Sequence, residues 1–486
     1  MTSVLTTAAV MLSVRIAVIA TAIQTLVVIV MIHLKNKISN TSFNGFIQDK
    51  IQYETIILFN QIKKMEKKIC QITDNYRLCK FVVVAKVQEG WMLYNTTTGG
   101  VVYIKSSDDL HKSLDKLVEM HYYVPLEFDE VEWVNNLRTT KLQKTKSGLI
   151  DGFTILTTMD CNARCFYCYE KGQPKNSMTN TIAQDVANFI IQQSPKSSIK
   201  LRWFGGEPLV NTNAINIICN SLIDNRVDFK SSMISNGLLF TDSIILQAQN
   251  VWKLKNVQIT LDGTKEVYQK AKVYKNANGD EFDTVINNIK KISEANIKVS
   301  IRLNQGFYNT SNLLELIDFL ATKFKGNKLV SIYNSLLYEE QDNHADQEMY
   351  DKFQMVQNKI MKCGFFRGNP LKRKLKTTHC MADNDSSVII TPKGDIGKCE
   401  HYTNQYLVGN IYDKTIDANE IKKCKEQYLP TQKCFECPLY PQCVRIKLCP
   451  EEKEFCSFTE CENKIELIRR ALIKKYKTQI VPQVVG

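Results

Sequence analysis

Cys161, Cys165 and Cys168 stand in the segment Met159-Asp160-Cys161-Asn162-Ala163-Arg164-Cys165-Phe166-Tyr167-Cys168. This CxxxCxxC spacing directly follows an apolar run, FTILTT at 153–158. Three thiolates on one tight loop can hold three irons of a four-iron cluster and leave the fourth open to a substrate or cofactor. The competing assignment is zinc, which prefers four ligands at CxxC-type spacing and does not require the loop to leave a strand. Other chemistry-bearing residues end further apolar runs. WFGGEPL (203–209) offers two residues without a Cβ, Gly205 and Gly206, where a ligand can approach the backbone closely, and a carboxylate, Glu207. Ser235-Asn236-Gly237 and Thr260-Leu261-Asp262-Gly263 end two more, and Arg302 lies within a fifth. Arg302 reads either as a ligand contact or as half of an ordinary ion pair.

A second group of cysteines lies near the C-terminus. Cys380 and Cys399 flank Gly394 as C-x13-G-x4-C, followed by Cys434-x2-Cys437-x5-Cys443 and then Cys449, Cys456 and Cys461. Clusters and a zinc ribbon both suit thiols at this spacing.

The loop CNARCFYCYE, with GGEP about 40 residues further on, resembles the signature of the radical S-adenosylmethionine superfamily. The resemblance covers roughly residues 150–465. It implies a [4Fe-4S] cluster on Cys161, Cys165 and Cys168, with S-adenosylmethionine on its open iron. It further implies cofactor contacts from Tyr167, Gly205, Gly206, Glu207, Asn236, Thr260 and Asp262, to which Arg302 is added. Lys272 lies where relatives often carry an arginine that contacts the cofactor carboxylate; a lysine supplies the charge without the bidentate fork. The C-terminal cysteines resemble the SPASM extension of peptide and sulfatase maturases, which holds one or two auxiliary [4Fe-4S] clusters. By that resemblance Cys434, Cys437, Cys443 and Cys461 (or Cys456) hold one cluster, and Cys380, Cys399 and Cys449 the other, with Cys424 a further candidate. The five-residue gap VRIKL before Cys449, without glycine, departs from the family's C-x3-C. The implied activity is reductive cleavage of the cofactor to a 5′-deoxyadenosyl radical, which would modify a ribosomally made peptide by a thioether or carbon–carbon cross-link. The alternative is an anaerobic sulfatase maturase that forms formylglycine. Implied partners are the peptide or protein substrate and a low-potential electron donor such as flavodoxin or ferredoxin.

These residues need a scaffold, and the pattern supplies one. Apolar strand candidates fall at 153–158, 199–204, 229–235, 257–261, 297–303 and 328–334. Helical stretches run at Thr181–Gln193, Asp242–Asn250, Phe282–Ala295, Asn312–Phe324 and Gln347–Cys363. The alternation predicts an α/β fold, a partial (β/α)6 TIM-like barrel with its active residues at the C-terminal strand ends. Before it, strands at Lys80–Lys86, Trp91–Asn95 and Val101–Lys105 and a helix near Asp108–Met120 predict a small α+β domain that would help bind a leader peptide. After it comes a loop-rich iron–sulfur domain and a last amphipathic helix, Glu462–Lys477. The expected divisions are 1–37 (membrane anchor or mis-called start), 38–145 (accessory, substrate recognition), 146–365 (radical core), 366–465 (auxiliary clusters) and 466–486 (helix and tail).

Composition fits this plan. The chain has 486 residues, 44% hydrophobic and 23% charged, enough for several globular domains. Its sixteen cysteines bunch at ligand-like spacing, which favours metal ligation in a reducing compartment over a disulfide framework. The formal charge of +13 comes from scattered lysine with no basic stripe interleaved with aromatics, so no nucleic-acid partner is expected; a mild preference for acidic peptides is. Residues 16–34 carry no charge apart from His33, and Lys35 and Lys37 follow. That run is long enough to span a bilayer and would leave the rest of the chain cytoplasmic, anchored to the inner face. The other explanation is that translation starts at Met31 or Met65.

Overall fold

The computed structural model describes residues 74–486 except 146–148, 194–197, 338–346, 367, 402, 404, 414–416, 450–457 and 481–486. The chain divides into two units, residues 1–77 and 78–486, and every element below belongs to the second. The segment 16–34 and Cys456 lie outside the described residues. Among the described residues no helix is long and apolar enough to cross a membrane.

An antiparallel three-stranded sheet opens the unit: β1 (Val82–Lys86), β2 (Trp91–Asn95) and β3 (Val101–Ile104), in that order. Helices α1 (Ser107–Lys112), α2 (Leu114–Glu119) and α3 (Glu130–Thr145) follow. The predicted single helix near 108–120 is broken at Ser113, which ends one helix and begins the next.

The barrel comes next. Strands β4 (Gly152–Thr158), β5 (Ile199–Gly205), β6 (Phe229–Ser235), β7 (Leu254–Leu261), β8 (Lys298–Gln305) and β9 (Val330–Leu336) pair in parallel in chain order. Each lies within three residues of its sequence expectation. Between them run α4 (Asn180–Gln193), α5 (Thr212–Asp224), α6 (Asp242–Asn250), α7 (Lys265–Lys272), α8 (Glu281–Glu294) and α9 (Thr310–Lys323), with α10 (Gln347–Lys362) after β9. In α8 the buried Phe282, Val285, Ile286, Ile289 and Ile292 recur at helical spacing and turn one stripe to the sheet. The strands alternate accordingly: Leu201, Trp203, Met233, Ile259, Ile301 and Ile332 belong to the core beneath the helices, so their chain neighbours face inward.

The sheet does not stop at β4. The C-terminal region adds β10 (Ser387–Ile390), parallel to β4, then antiparallel β11 (Asp395–Gly397) and β12 (Gly409–Asn410). The predicted loop-rich domain is thus stitched onto the barrel's first edge. A last helix, α12 (Phe458–Lys475), lays Ile468 and Leu472 on the apolar face of the first sheet, against Val83, Ala85, Met92 and Tyr94.

Candidate active site

The first cysteine loop leaves β4 at its C-terminal end and is held by backbone bonds on both sides. Arg164 N–H donates to the carbonyls of Lys272 (3.2 Å) and Val273 (2.9 Å), and Lys275 N–H donates to Asn162 O (2.7 Å). Val273 adopts φ +42°, a left-handed conformation unusual for a β-branched residue; it ends α7 and turns residues 273–275 under the loop. Asp160 accepts from Cys161 N–H (2.9 Å) and pairs with Arg164 (3.3 Å) and Lys275 (3.1 Å). Asn236 Nδ2 donates to Asn162 Oδ1 (2.6 Å) and lies 3.9 Å from Cys161 Sγ.

Burial pushes the Cys161 thiol up to about 12, with Glu207, Cys165 and Cys168 adding to the effect, and burial also raises Cys168. Close, half-buried thiols of this kind favour a soft cationic partner, because metal binding drives off their protons. The donor set therefore fits an iron–sulfur cluster. Among the described residues no three His, Cys, Asp or Glu side chains converge tightly enough for a single metal ion, and no disulfide is present.

Gly205, at φ +110°, would place a Cβ 2.2 Å from Thr158 O, and a Cβ on Gly206 would lie 2.3 Å from Asp160 O. What comes close to these glycines is the strand end that launches the cysteine loop, rather than open space for a ligand. Glu207 is held from several sides. It is completely buried, and its carboxylate accepts from Leu209 N–H (3.2 Å), Ser235 Oγ (2.9 Å) and Asn236 N–H (2.8 Å). Burial raises it to about 7 against the pull of those donors. Its carboxylate ties two strand-end turns together.

Lys272 is likewise committed. Its ammonium lies 3.3 Å from Asp262 Oδ2, both side chains being almost wholly buried, and donates to Tyr167 OH (2.8 Å). Burial alone would lower Lys272, but the Asp262 charge, with Tyr167 and Cys165, holds it well above its ordinary value. Asn304 Nδ2 donates to the other Asp262 oxygen (3.1 Å). Tyr167, Asp262 and Lys272 thus form one buried group beneath Cys165, whose Sγ lies 3.8 Å from Lys272 O. The geometry gives Lys272 a charge partner of its own instead of a free fork for a carboxylate. Thr260 and Arg302 are lateral neighbours on β7 and β8, one inward position deeper.

The second cysteine region forms two groupings. Cys437 is lowered to about 6, chiefly by a hydrogen bond from Cys461, with the Leu439 and Tyr440 N–H groups helping against burial. Cys399 is raised to about 12 by burial first, then by Glu400, Cys380 and Cys449, so these three cysteines sense one another. Tyr169, next to Cys168, packs on His401 with ring centres 4.5 Å apart. That contact joins the end of the first loop to the Cys399 segment. Sequence reasoning missed Asn162, Asp160 and Lys275, which fasten the loop; Asp160 and Asn162 flank Cys161, but their partner at 275 is visible only once α7 is placed.

Residues 155–320 match the family profile described as the Radical SAM superfamily. The loop, its strand-end context and this match over residues 155–320 support a radical S-adenosylmethionine enzyme. Among similar proteins is the radical SAM cyclopropyl synthase TigE of Paramaledivibacter caminithermalis, 23% identical over 398 residues, 73% of this chain and 79% of that one. A GTP 3′,8-cyclase of Clostridium perfringens is 25% identical over 292 residues, 54% of this chain and 84% of its own. Among solved structures, anSMEcpe with bound AdoMet aligns at TM-score 0.49 and 14% identity, over 67% of this chain and 100% of that one. Streptococcus suis SuiB bound to precursor peptide SuiA aligns at TM-score 0.47 and 14% identity, over 78% and 99%.

Proposed function

We propose that the chain matures a ribosomally made peptide by forming a thioether or carbon–carbon cross-link, aided by one or two auxiliary [4Fe-4S] clusters in a SPASM-type region at 366–465. When bound, the cluster and S-adenosylmethionine supply a 5′-deoxyadenosyl radical by reductive cleavage. Cys161, Cys165 and Cys168 would hold that cluster. Cys437 and Cys461, with Cys434 and Cys443, would hold one auxiliary cluster, and Cys380, Cys399 and Cys449 the other. A flavodoxin or ferredoxin would deliver the electron. The buried Asp262–Lys272–Tyr167 group fixes the floor under the loop, and Asn236 fixes its side.

The observation that carries the peptide reading is the first sheet. On its β1 edge Arg469 of α12 donates to Val84 O (3.3 Å). Its β3 edge pairs with no other strand among the described residues. Asn95 N–H donates to Gly100 O, so the alternation along the ladder sends the N–H groups of Val101 and Tyr103 away from β2. An extended leader can add there as a fourth strand, with main-chain bonds giving affinity. The cyclopropyl synthase relative, which matches well beyond the family profile, is compatible with a modifying enzyme of this kind.

The test uses the full chain, because α12 completes the core of this sheet. A precursor encoded beside this chain is expected to bind at about 1 µM, a binding free energy of about −8 kcal/mol. Val101→Pro, which removes one outward N–H, is expected to weaken binding about tenfold. Equal affinity for both proteins removes the leader role. Turnover of a sulfatase peptide in place of the precursor replaces this reading with the sulfatase one.

A further inference from the structure

The inner face of the barrel carries a row of cationic side chains. Lys200 and Arg202 on β5, Lys230 on β6, and Lys298 and Arg302 on β8 all alternate with residues of the helix-covered core, so they face inward. Arg202 stands in the middle of a strand paired on both sides and is still exposed, so this face is open to solvent. Lys200 pairs with Asp151 (3.2 Å) and the inward Asp262 with Lys272 (3.3 Å). Among the described residues no carboxylate lies within ion-pair distance of Arg202, Lys230, Lys298 or Arg302.

Two details make this more than a solvated surface. Lys200 and Lys230 are direct lateral neighbours on adjacent strands, an arrangement of like charges that disfavours the folded sheet. Two inward positions nearer the C-terminal strand ends than Lys298, Arg302 spends one donor on Ser335 Oγ (3.1 Å), while its Nε is buried with no acceptor. A buried, unsatisfied charged donor is expensive unless a ligand completes it. Around it the wall is polar throughout: Thr260 and Tyr333 flank it in register, and Tyr333 OH donates to Gln258 (2.6 Å). Inward positions on a strand lie about 7 Å apart. Arg302 thus sits about 7 Å below Asn304 and Asp262, one layer under the floor of the cysteine loop.

We propose that this inner column seats an acidic stretch of the peptide substrate, with the Arg302 guanidinium holding a side-chain carboxylate and Arg202 and Lys230 guiding its neighbours. The inference rests on the peptide reading and names its substrate class: peptides bearing Asp or Glu in the segment that enters the barrel. A planar guanidinium whose Nε–H has no partner suits a carboxylate, which can accept two parallel bonds from it.

The experiment uses full-length reconstituted enzyme and fluorescent hexaglutamate and hexaglutamine as probes, read by anisotropy. Wild type is expected to bind hexaglutamate at least tenfold more tightly. Arg302→Met and Arg202→Gln are each expected to lose most of that preference, and Arg302→Lys to keep part of it. The distant Lys291→Gln, on the outer helix α8, removes the same charge and is expected to leave binding unchanged. In Arg202→Gln and Lys291→Gln 5′-deoxyadenosine release under dithionite is expected to stay near wild type. Equal losses in Lys291→Gln and Arg302→Met would reduce the effect to diffuse charge and overturn the site. Loss of cofactor cleavage in Arg302→Met would move Arg302 to the cofactor and overturn its assignment here. These readouts need no native precursor, so failure of the cross-linking reading would appear separately, as an unmodified precursor.

Discussion

The two cysteine regions hold similar ligands in contrasting frames. The loop at 161–168 emerges from a parallel strand and is fastened by backbone bonds to 272–275, by Asn236, and by the Asp160 ion pairs. Its geometry is set by protein alone. The region at 380–461 has short strands and one- and two-turn helices, anchored in the barrel core by Ile390, Ile396 and Val408, and its cysteines sense one another in two groupings. A site built on rigid elements can leave one metal position open for chemistry. A site built on loops needs its metal to be ordered at all.

The sharpest way to break this comparison is to empty each region in turn. Changing Cys161, Cys165 and Cys168 together to Ala is expected to abolish 5′-deoxyadenosine release under dithionite, while the thermal melt and the C-terminal iron remain. Residual release would show that another site cleaves the cofactor. The Cys437→Ala, Cys461→Ala pair is expected to lose about four irons per chain and to make residues 425–449 sensitive to protease. A protease pattern like wild type, measured by mass spectrometry, would show that this region does not depend on metal.

Two smaller effects probe the protein-built frame. Lys272→Met leaves Asp262 buried without its partner and is expected to destabilise the barrel by about 3–5 kcal/mol, read by urea denaturation. Glu207→Gln presents an amide donor where Asn236 N–H needs an acceptor, a loss of about 1–3 kcal/mol. Glu207 also carries a pH signature. Its folded pKa of about 7 lies above its ordinary value of 4.5, so the folded state holds the proton more tightly. The stability this gives is complete below pH 4.5 and is lost as pH rises through 7. The advantage of wild type over Glu207→Gln is therefore expected to shrink between those limits; a constant difference would place the carboxylate in water.

Sequence reached the strands closely because their apolar runs are buried under helices and bounded by turn residues. FKSSMIS at 229–235 coincides with its strand. It missed α5, whose apolar positions are interleaved with three asparagines, and α7, a mostly charged eight-residue segment. It missed β10, since four residues of SVII carry no period, and the strand forms by pairing with β4, more than 200 positions away in the chain. The site residues were legible by type, but their partners were not. Glu207 stood out at a strand end and Lys272 through the family resemblance, and only packing shows that each has internal partners. Arg302 is the reverse case, a half-buried charge whose partner the fold does not supply.

The measurement closest to the heart of the account is mass spectrometry of a neighbouring precursor peptide after anaerobic incubation with full-length enzyme, S-adenosylmethionine and dithionite. The account predicts loss of two hydrogens per cross-link, with one 5′-deoxyadenosine released for each and none formed by the Cys161, Cys165, Cys168 triple variant. Steady 5′-deoxyadenosine release with the bound peptide unchanged in mass would contradict it.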